Sequence, residues 1–223
     1  MAERVAVKGD ISSERLLQVA AHLFREKGYL ATSVRDIARA ANMESGSIYY
    51  HYPSKDALLE AVMNRAIGAL HDAVNDALAG LTPEHTFQDR LRVAIAAHLR
   101  TIHQYGDFAV ASRESLDKLL DKSRREHVRL RRRYGQIWHK LFDDAKANGE
   151  VRADVEVAPV QMFILGALNW TSEWLDPKRT TLEHASELLA DMTLNGLLIG
   201  RSRAPAPPSR EYRAEPRSRR RKP

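Results

Sequence analysis

The residues best suited to chemistry in this 223-residue chain stand together in Glu44–Lys55, ESGSIYYHYPSK. Ser45, Gly46 and Ser47 precede Tyr49, Tyr50, His51 and Tyr52, and Pro53 then leads to Lys55. The set holds no catalytic pairing, yet each member has a use against a nucleic acid. Small residues at a helix N-terminus let the backbone approach closely, and their hydroxyls and amides bond phosphates or base edges. Tyrosine rings pack on sugar or a thymine methyl while the hydroxyl reaches a phosphate. His51 is a further phosphate donor, and Lys55 brings charge to the start of the next helix. Ile48 is expected to face inward and hold this short helix to its support.

That support is legible upstream. Leu16, Leu17, Ala20, Ala21 and Phe24 form one apolar stripe of a first helix. Ser12 or Ser13 is its expected N-cap, Arg25 and Lys27 occupy its last turn, and Gly28 can take the left-handed conformation that ends it. In ATSVRDIARAANM, Ser33 and Asp36 have capping-box spacing, and Val34, Ile37, Ala38 and Ala41 make a short stripe. Asn42 tolerates the left-handed turn that follows. That helix lasts barely two turns, and the next is even shorter because Pro53 stops it. Two short helices joined by a tight turn and packed on a longer one make a helix-turn-helix, whose second helix lies in the major groove.

Beyond this unit the chain reads as all-α. Ser54 is the expected cap of a helix through KDALLEAVMNRAIGALHDAVNDALAG, and further helices are expected near 84–104, 107–120, 124–148, 156–175 and 181–199. The organisation predicted is a DNA-binding unit over 1–55, a helical body over 56–200 and a tail over 201–223. The tail, RSRAPAPPSREYRAEPRSRRRKP, carries nine basic and two acidic residues, a net +7 that exceeds the whole chain's +6. Such a Pro- and Arg-rich segment cannot bury a core and is expected to be disordered, adding sequence-blind attraction to nucleic acid or simply remaining solvated.

Several functions are excluded. There is no cysteine, hence no disulfide or thiol chemistry. No apolar run reaches the roughly 18 residues of a membrane span, and the N-terminus lacks a signal-peptide stretch, so a cytoplasmic location is expected. His98 and His103 are five apart and share no metal-binding face. His139 and Asp143 can pair, as a structural contact. No phosphate-cradling glycine loop or nucleophile elbow occurs. Neither catalysis, metal nor cofactor is expected.

The segment TSVRDIARAANMESGSIYYHYPSKDALL resembles the DNA-binding signature of TetR-type transcriptional regulators. Thr32, Ile37, Ala38, Ala41, Gly46, Tyr49, His51 and Lys55 occupy the pattern's positions, and with the preceding helix the match runs over roughly 12–59. Asn42 replaces the usual turn glycine, Tyr52 the usual Phe, and Glu44 a frequent Ser cap. The DNA-contacting set read from this stretch is Thr32, Ser33, Arg35, Ser45, Gly46, Ser47, Tyr49, Tyr50, His51 and Lys55. The resemblance implies a double-stranded DNA operator as partner and a C-terminal domain that binds a small molecule and forms a homodimer. Phe163, Ala167, Leu188, Met192 and Asn195 are the expected dimer contacts.

GALNWTSEWLDPKRTTLEHASELLADMTLNGLL, with the preceding RRRYGQIWHKLFDDAKANGEVRAD, is similar to a subgroup governing fatty-acid and steroid catabolism. That likeness implies an effector such as a CoA thioester. Tyr134, Trp138 and Trp170 are the expected cavity aromatics, and Arg113, Arg124 or Arg125 the cations near anionic groups. Buried aromatics at helical spacing serve equally as plain core, and KSRREHVRLRRR as a solvated face. A constitutive or architectural DNA-binding protein is the alternative, though it has no need of so large an apolar body.

Overall fold

The computed structural model describes residues 2–176 and 178–197, and the side chains among them from residue 13 on except those of residues 113 and 114. Among the described residues the chain forms nine α-helices and no strand. They are α1 (Ala2–Lys27), α2 (Val34–Ala41), α3 (Ser45–His51), α4 (Lys55–Ala79), α5 (Phe87–Gln104), α6 (Gly106–Ser115), α7 (Asp121–Ala147), α8 (Val157–Trp174) and α9 (Leu182–Leu197). A 3-10 turn over Leu116–Lys118 follows α6, so the helix expected over 107–120 is shorter and tightens at its end. None of these helices is long and apolar enough to cross a membrane. The 201–223 tail lies outside the described residues.

Local signals explain most boundaries. Ser33 and Asp36 form the full capping box, and Asn42 closes α2 at φ 55°, ψ 48°. Thr86 and Asp89 repeat the box at α5, and the Ser54 hydroxyl accepts from the Ala57 amide at 3.0 Å. Gly28 ends α1 at φ 80°. One expectation fails: α1 begins at Ala2, so Ser12 and Ser13 lie inside the helix and neither caps it. Ser13 instead hydrogen-bonds the Tyr52 hydroxyl at 3.1 Å, which gives the departure from Phe at position 52 a structural use.

Two apolar cores are present. The first gathers Leu16, Phe24, Ile37, Ile48, Leu58, Leu59 and Met63 from α1–α4, with Phe108 and Ala111 of α6. The second joins Ile67, Leu70 and Val74 of α4 to α5, α7, α8 and α9. A buried side chain of this size contributes about 1.5–3 kcal/mol, so each core is a stable packing unit. Helix α4 therefore serves both, and the changeover falls between Ala66 and Ile67.

Polar contacts tie further elements to the first core. Asp107 at the start of α6 accepts from Arg25 Nη1 at 2.6 Å and pairs with His22 Nδ1 at 3.0 Å. Arg65 of α4 donates to Glu14 at 2.9 Å and to the Tyr105 hydroxyl at 2.7 Å. Helices α7 and α8 approach closely at Gly135, whose carbonyl accepts from Gln161 Nε2 at 3.0 Å. A Cβ at 135 would stand 3.1 Å from that nitrogen, so a side chain there would oblige the Gln161 amide to shift by a few tenths of an ångström.

Candidate nucleic-acid interface and ligand cavity

Helix α3 turns one residue inward and the rest outward. Ile48 is buried against α1, α2 and α4, which sets the rotation of the helix. Gly46, Ser47 and His51 are then exposed, Tyr49 is 52% and Tyr50 87% accessible, and Ser45 is intermediate. Tyr50 and His51 stack edge-to-face with centroids 5.3 Å apart. A Cβ at Gly46 would meet no atom of the chain within 4 Å, so internal packing does not call for glycine there. Arg35 and Ser33 are exposed on α2 and its cap. The Ser33 hydroxyl already donates to Asp36 at 2.5 Å, and this bond holds the Asp36 carboxyl below its usual range.

Two members of the expected DNA-contacting set sit elsewhere. Thr32 is buried, and its hydroxyl donates to the Gly28 and Leu23 carbonyls at 2.9 and 3.2 Å. It fastens the end of α1 to the start of α2 and has no side-chain atom to offer DNA. Lys55 turns inward as well. Its ammonium donates to the Tyr29 and Thr32 carbonyls at 3.0 and 2.9 Å and lies 4.2 Å from the Tyr29 ring centroid. Tyr29 in turn donates to Asp56, and burial raises its phenol. Sequence reasoning missed Tyr29, the hub of this cluster. Its signal was an aromatic directly after the helix-ending Gly28.

A cavity of about 830 Å³ opens between α4, α6, α7 and α8. Met63, Ala66, Ile67 and Leu70 of α4 line it across the junction of the two cores. Polar groups come mainly from α7 and α8: His127, Arg131, Arg132, Tyr134, Gln161 and Asn169. Arg131 and Arg132 are exposed on α7, at the solvent side of the cavity. His127 bonds Asn64 of α4 at 3.3 Å, and burial, with help from Arg131, lowers its pKa to about 4. His98 lies fully buried behind the wall, its Nδ1 2.5 Å from the Tyr134 hydroxyl, and burial lowers its pKa to about 4. Both imidazoles are neutral at pH 7.

Of the expected cavity residues whose side chains are described, Tyr134 alone lines it. Trp138 is wholly buried in the second core, with its ring centroid 6.1 Å from that of His98. Trp170 is 56% exposed on the outer side of α8. Arg124 donates to the Asp117 and Leu119 carbonyls and braces the turn before α7, and Arg125 is exposed outside the lining. The side chain of Arg113 lies outside the described residues. Among the described residues the arginines at the cavity are Arg131 and Arg132, about two turns further along the same basic run.

The five expected dimer contacts are all exposed. Phe163 and Ala167 of α8 and Leu188, Met192 and Asn195 of α9 form two stripes at four- and three-residue spacing. Trp170 and Trp174, the latter 61% exposed, extend the α8 stripe at the same spacing. Contiguous apolar exposure of this kind marks an interaction surface.

Comparison with known proteins adds to this geometry. Residues 16–62 match the family model described as bacterial regulatory proteins, tetR family, and residues 84–197 match that of the tetracyclin repressor-like C-terminal domain. The HTH-type transcriptional repressor KstR2 of Mycolicibacterium smegmatis is 29% identical over 166 residues, covering 74% of this chain and 79% of the relative. The TetR family transcriptional regulator PfmR of Thermus thermophilus is 29% identical with a TM-score of 0.74, over 85% of this chain and all of that one. AibR, solved with isovaleryl coenzyme A and operator DNA, shares the fold at a TM-score of 0.69 and 22% identity, over 84% and 98% of the two chains.

Proposed function

We propose that this chain, which belongs to the TetR family of bacterial regulatory proteins, is a dimeric repressor released from its operator by an amphipathic anion of the acyl-CoA type. As a family member it is a DNA-binding transcriptional regulator and not an enzyme. The rest of the reading concerns dimerisation, the effector and the place of action, the cytoplasm. Residues 1–55 are the reading head, 56–200 the effector-binding and dimerisation body, and 201–223 a tail that raises affinity for DNA.

One observation carries the ligand control: the cavity is lined by α4 on both sides of the point where it passes from one core to the other. A ligand wedged against Met63, Ala66, Ile67 and Leu70 bears on the helix that carries the head. Helix α6 is a second link, since Ala109 and Ser112 line the cavity while Asp107 is clamped to α1. A ligand that binds better to a widened dimer shifts the population toward it and draws the two α3 helices out of register with successive major grooves. Apolar lining from α4 and α5 suits an acyl group, and Arg131 with Arg132 suits phosphates at the solvent end.

The DNA contact falls to Arg35, Ser45, Gly46, Ser47, Tyr49, Tyr50 and His51. Empty space around Gly46 supports close approach by a partner outside the chain. The exposed stripes of α8 and α9, Trp170 included, support pairing with a second copy, which doubles the few bases one short helix can read.

Fluorescence anisotropy on DNA from the gene's own upstream region, titrated with CoA thioesters, tests the reading. Specific binding reversed by a thioester is the expected result. Binding that no thioester disturbs would discard the effector class, and equal binding to scrambled DNA would favour constitutive, sequence-blind binding.

A further inference from the structure

The hydroxyl groups of this molecule are unevenly satisfied. Thr101, Thr171, Ser172 and Ser186 each bond a backbone carbonyl one turn back in their helices, at 2.8, 2.6, 3.1 and 2.8 Å. This is the ordinary resting place of a helical hydroxyl. Ser112 of α6 departs from it. Its Oγ is buried at the cavity wall and has no hydrogen-bond partner among the described residues. A buried hydroxyl without a partner destabilises the fold, and such groups in native structures point to something that completes them.

A second group with hydrogen-bonding capacity left stands at the wall of the same cavity. Tyr134 lines it with its hydroxyl on His98 Nδ1, while His98 Nε2 is buried without a partner in hydrogen-bond geometry. Asn169, another lining residue, interacts with that imidazole. A neutral imidazole and a phenol hold two hydrogens between them, and their mutual bond uses one. The pair can therefore donate to a ligand carbonyl in one tautomer, or accept from a ligand hydroxyl in the other. Between these groups the lining is apolar, with Met63, Ile67, Leu70, Ile102 and Leu165. A plain hydrocarbon would leave the Ser112 hydroxyl without a partner and the remaining hydrogen-bonding capacity of the Tyr134–His98 pair unused.

We infer that the cavity selects ligands carrying an oxygen, as carbonyl or hydroxyl, on their apolar body, with Ser112 and Tyr134 as specificity-determining residues and His98 as the residue that positions Tyr134. This rests on the cavity being the effector site proposed above. It goes further by separating oxygenated from saturated acyl groups, because a site built to hydrogen-bond an oxygen discriminates strongly against the analogue that lacks it.

The test is calorimetric titration of the full-length protein with octanoyl-CoA and with its 3-oxo, 5-oxo and 7-oxo counterparts, alongside thermal shift with cyclooctanone and cyclooctane. At least one oxo member should bind about tenfold or more tightly than octanoyl-CoA. Ser112→Ala and Tyr134→Phe should shrink that ratio to within about threefold, because they weaken the oxo member far more than octanoyl-CoA. His98→Gln should lower the ratio by the same route. Ser112→Ala should also raise the melting temperature of the ligand-free protein, which a serine with a purely structural role would not do. Equal affinity across the series, or variants that weaken all members alike, would overturn the inference. Should no thioester bind, the acyl-CoA reading fails separately. Stabilisation by cyclooctanone over cyclooctane, lost in Ser112→Ala, would then still support the oxygen preference, and its absence would remove it.

Discussion

The reading head and the body below it treat buried polar atoms in opposite ways. Among the described residues from 13 to 66, no buried side-chain nitrogen or oxygen lacks a partner. Thr32, Tyr29, Asp56 and Lys55 close on one another and on the backbone in a single cluster. In the body, His98 Nε2, Ser112 Oγ, Arg124 Nε, Trp138 Nε1 and Arg152 Nε are buried without a partner in hydrogen-bond geometry among the described residues. Ser112 lines the cavity and His98 and Trp138 stand behind its wall, while Arg124 and Arg152 lie elsewhere. A fully satisfied network rigidifies, while an incomplete one costs stability. The head's closed network suits a unit that holds one shape, whereas the body leaves polar groups open, two of its five at or near the cavity proposed above as the effector site through Ser112 and His98.

The sharpest way to break this contrast is at the outward face of the head. Tyr49→Ala removes a ring that is half exposed and belongs to neither core. Operator affinity should fall by roughly a hundredfold or more, with the melting temperature and dimer unchanged. Anisotropy beside a thermal melt decides it, and retained tight binding would refute the docking of α3.

Acid should separate the two regions next. An unfolded histidine titrates near 6.5, whereas burial lowers His98 to about 4. Between those values the unfolded state binds the proton and the folded state does not. Stability is therefore full above pH 6.5 and falls as pH drops toward 4. A fully buried group with this shift contributes about 3 kcal/mol across the window, and His127 acts in the same direction. All three tryptophans lie in the body, so urea midpoints by tryptophan fluorescence report it directly. His98→Gln should flatten the profile between pH 6.5 and 4, and a profile as steep as wild type would show that His98 is not its source.

The head's inner cluster predicts a smaller effect of a different kind. Lys55→Met should cost about 2 kcal/mol of stability, because the Tyr29 and Thr32 carbonyls lose a charged donor. The salt dependence of operator binding should not change. A lysine on a phosphate would instead lower the slope by about one, so a reduced slope at undiminished stability would return Lys55 to the DNA contacts.

These corrections show where the sequence stops being informative. Helix boundaries were legible because capping boxes, Asn42, Ser54 and Pro53 act within a few residues of themselves. The outward face of α3 was legible because a single apolar residue, Ile48, fixes its rotation. Lys55 was not, since its partners are carbonyls 23 and 26 residues upstream. Tyr134 and Trp138 share one face of α7, yet one reaches the cavity and the other the core. That division depends on how α8 crosses at Gly135 and Gln161, and nothing in α7 alone encodes the crossing. The basic run of α7 announced cations without saying which turn would meet the cavity. Trp170 carried the family likeness but belongs to the spacing of Phe163, Ala167 and Trp174, a stripe readable in hindsight from periodicity.

The smallest expected effect asks whether sequence reading belongs to the head alone. Residues 201–223 carry a net charge of +7, while the remainder of the chain sums to −1. Each phosphate neutralised contributes a slope of about 0.9 to the salt dependence of binding. Deleting the tail should therefore flatten that dependence and lower affinity for operator and scrambled DNA alike, most of all at low salt. The ratio of the two affinities should stay within about twofold, because sequence-blind attraction cancels in it. A collapse of the ratio would show that the tail itself touches base edges. The division between a head that reads and a body that listens would then need a third reader.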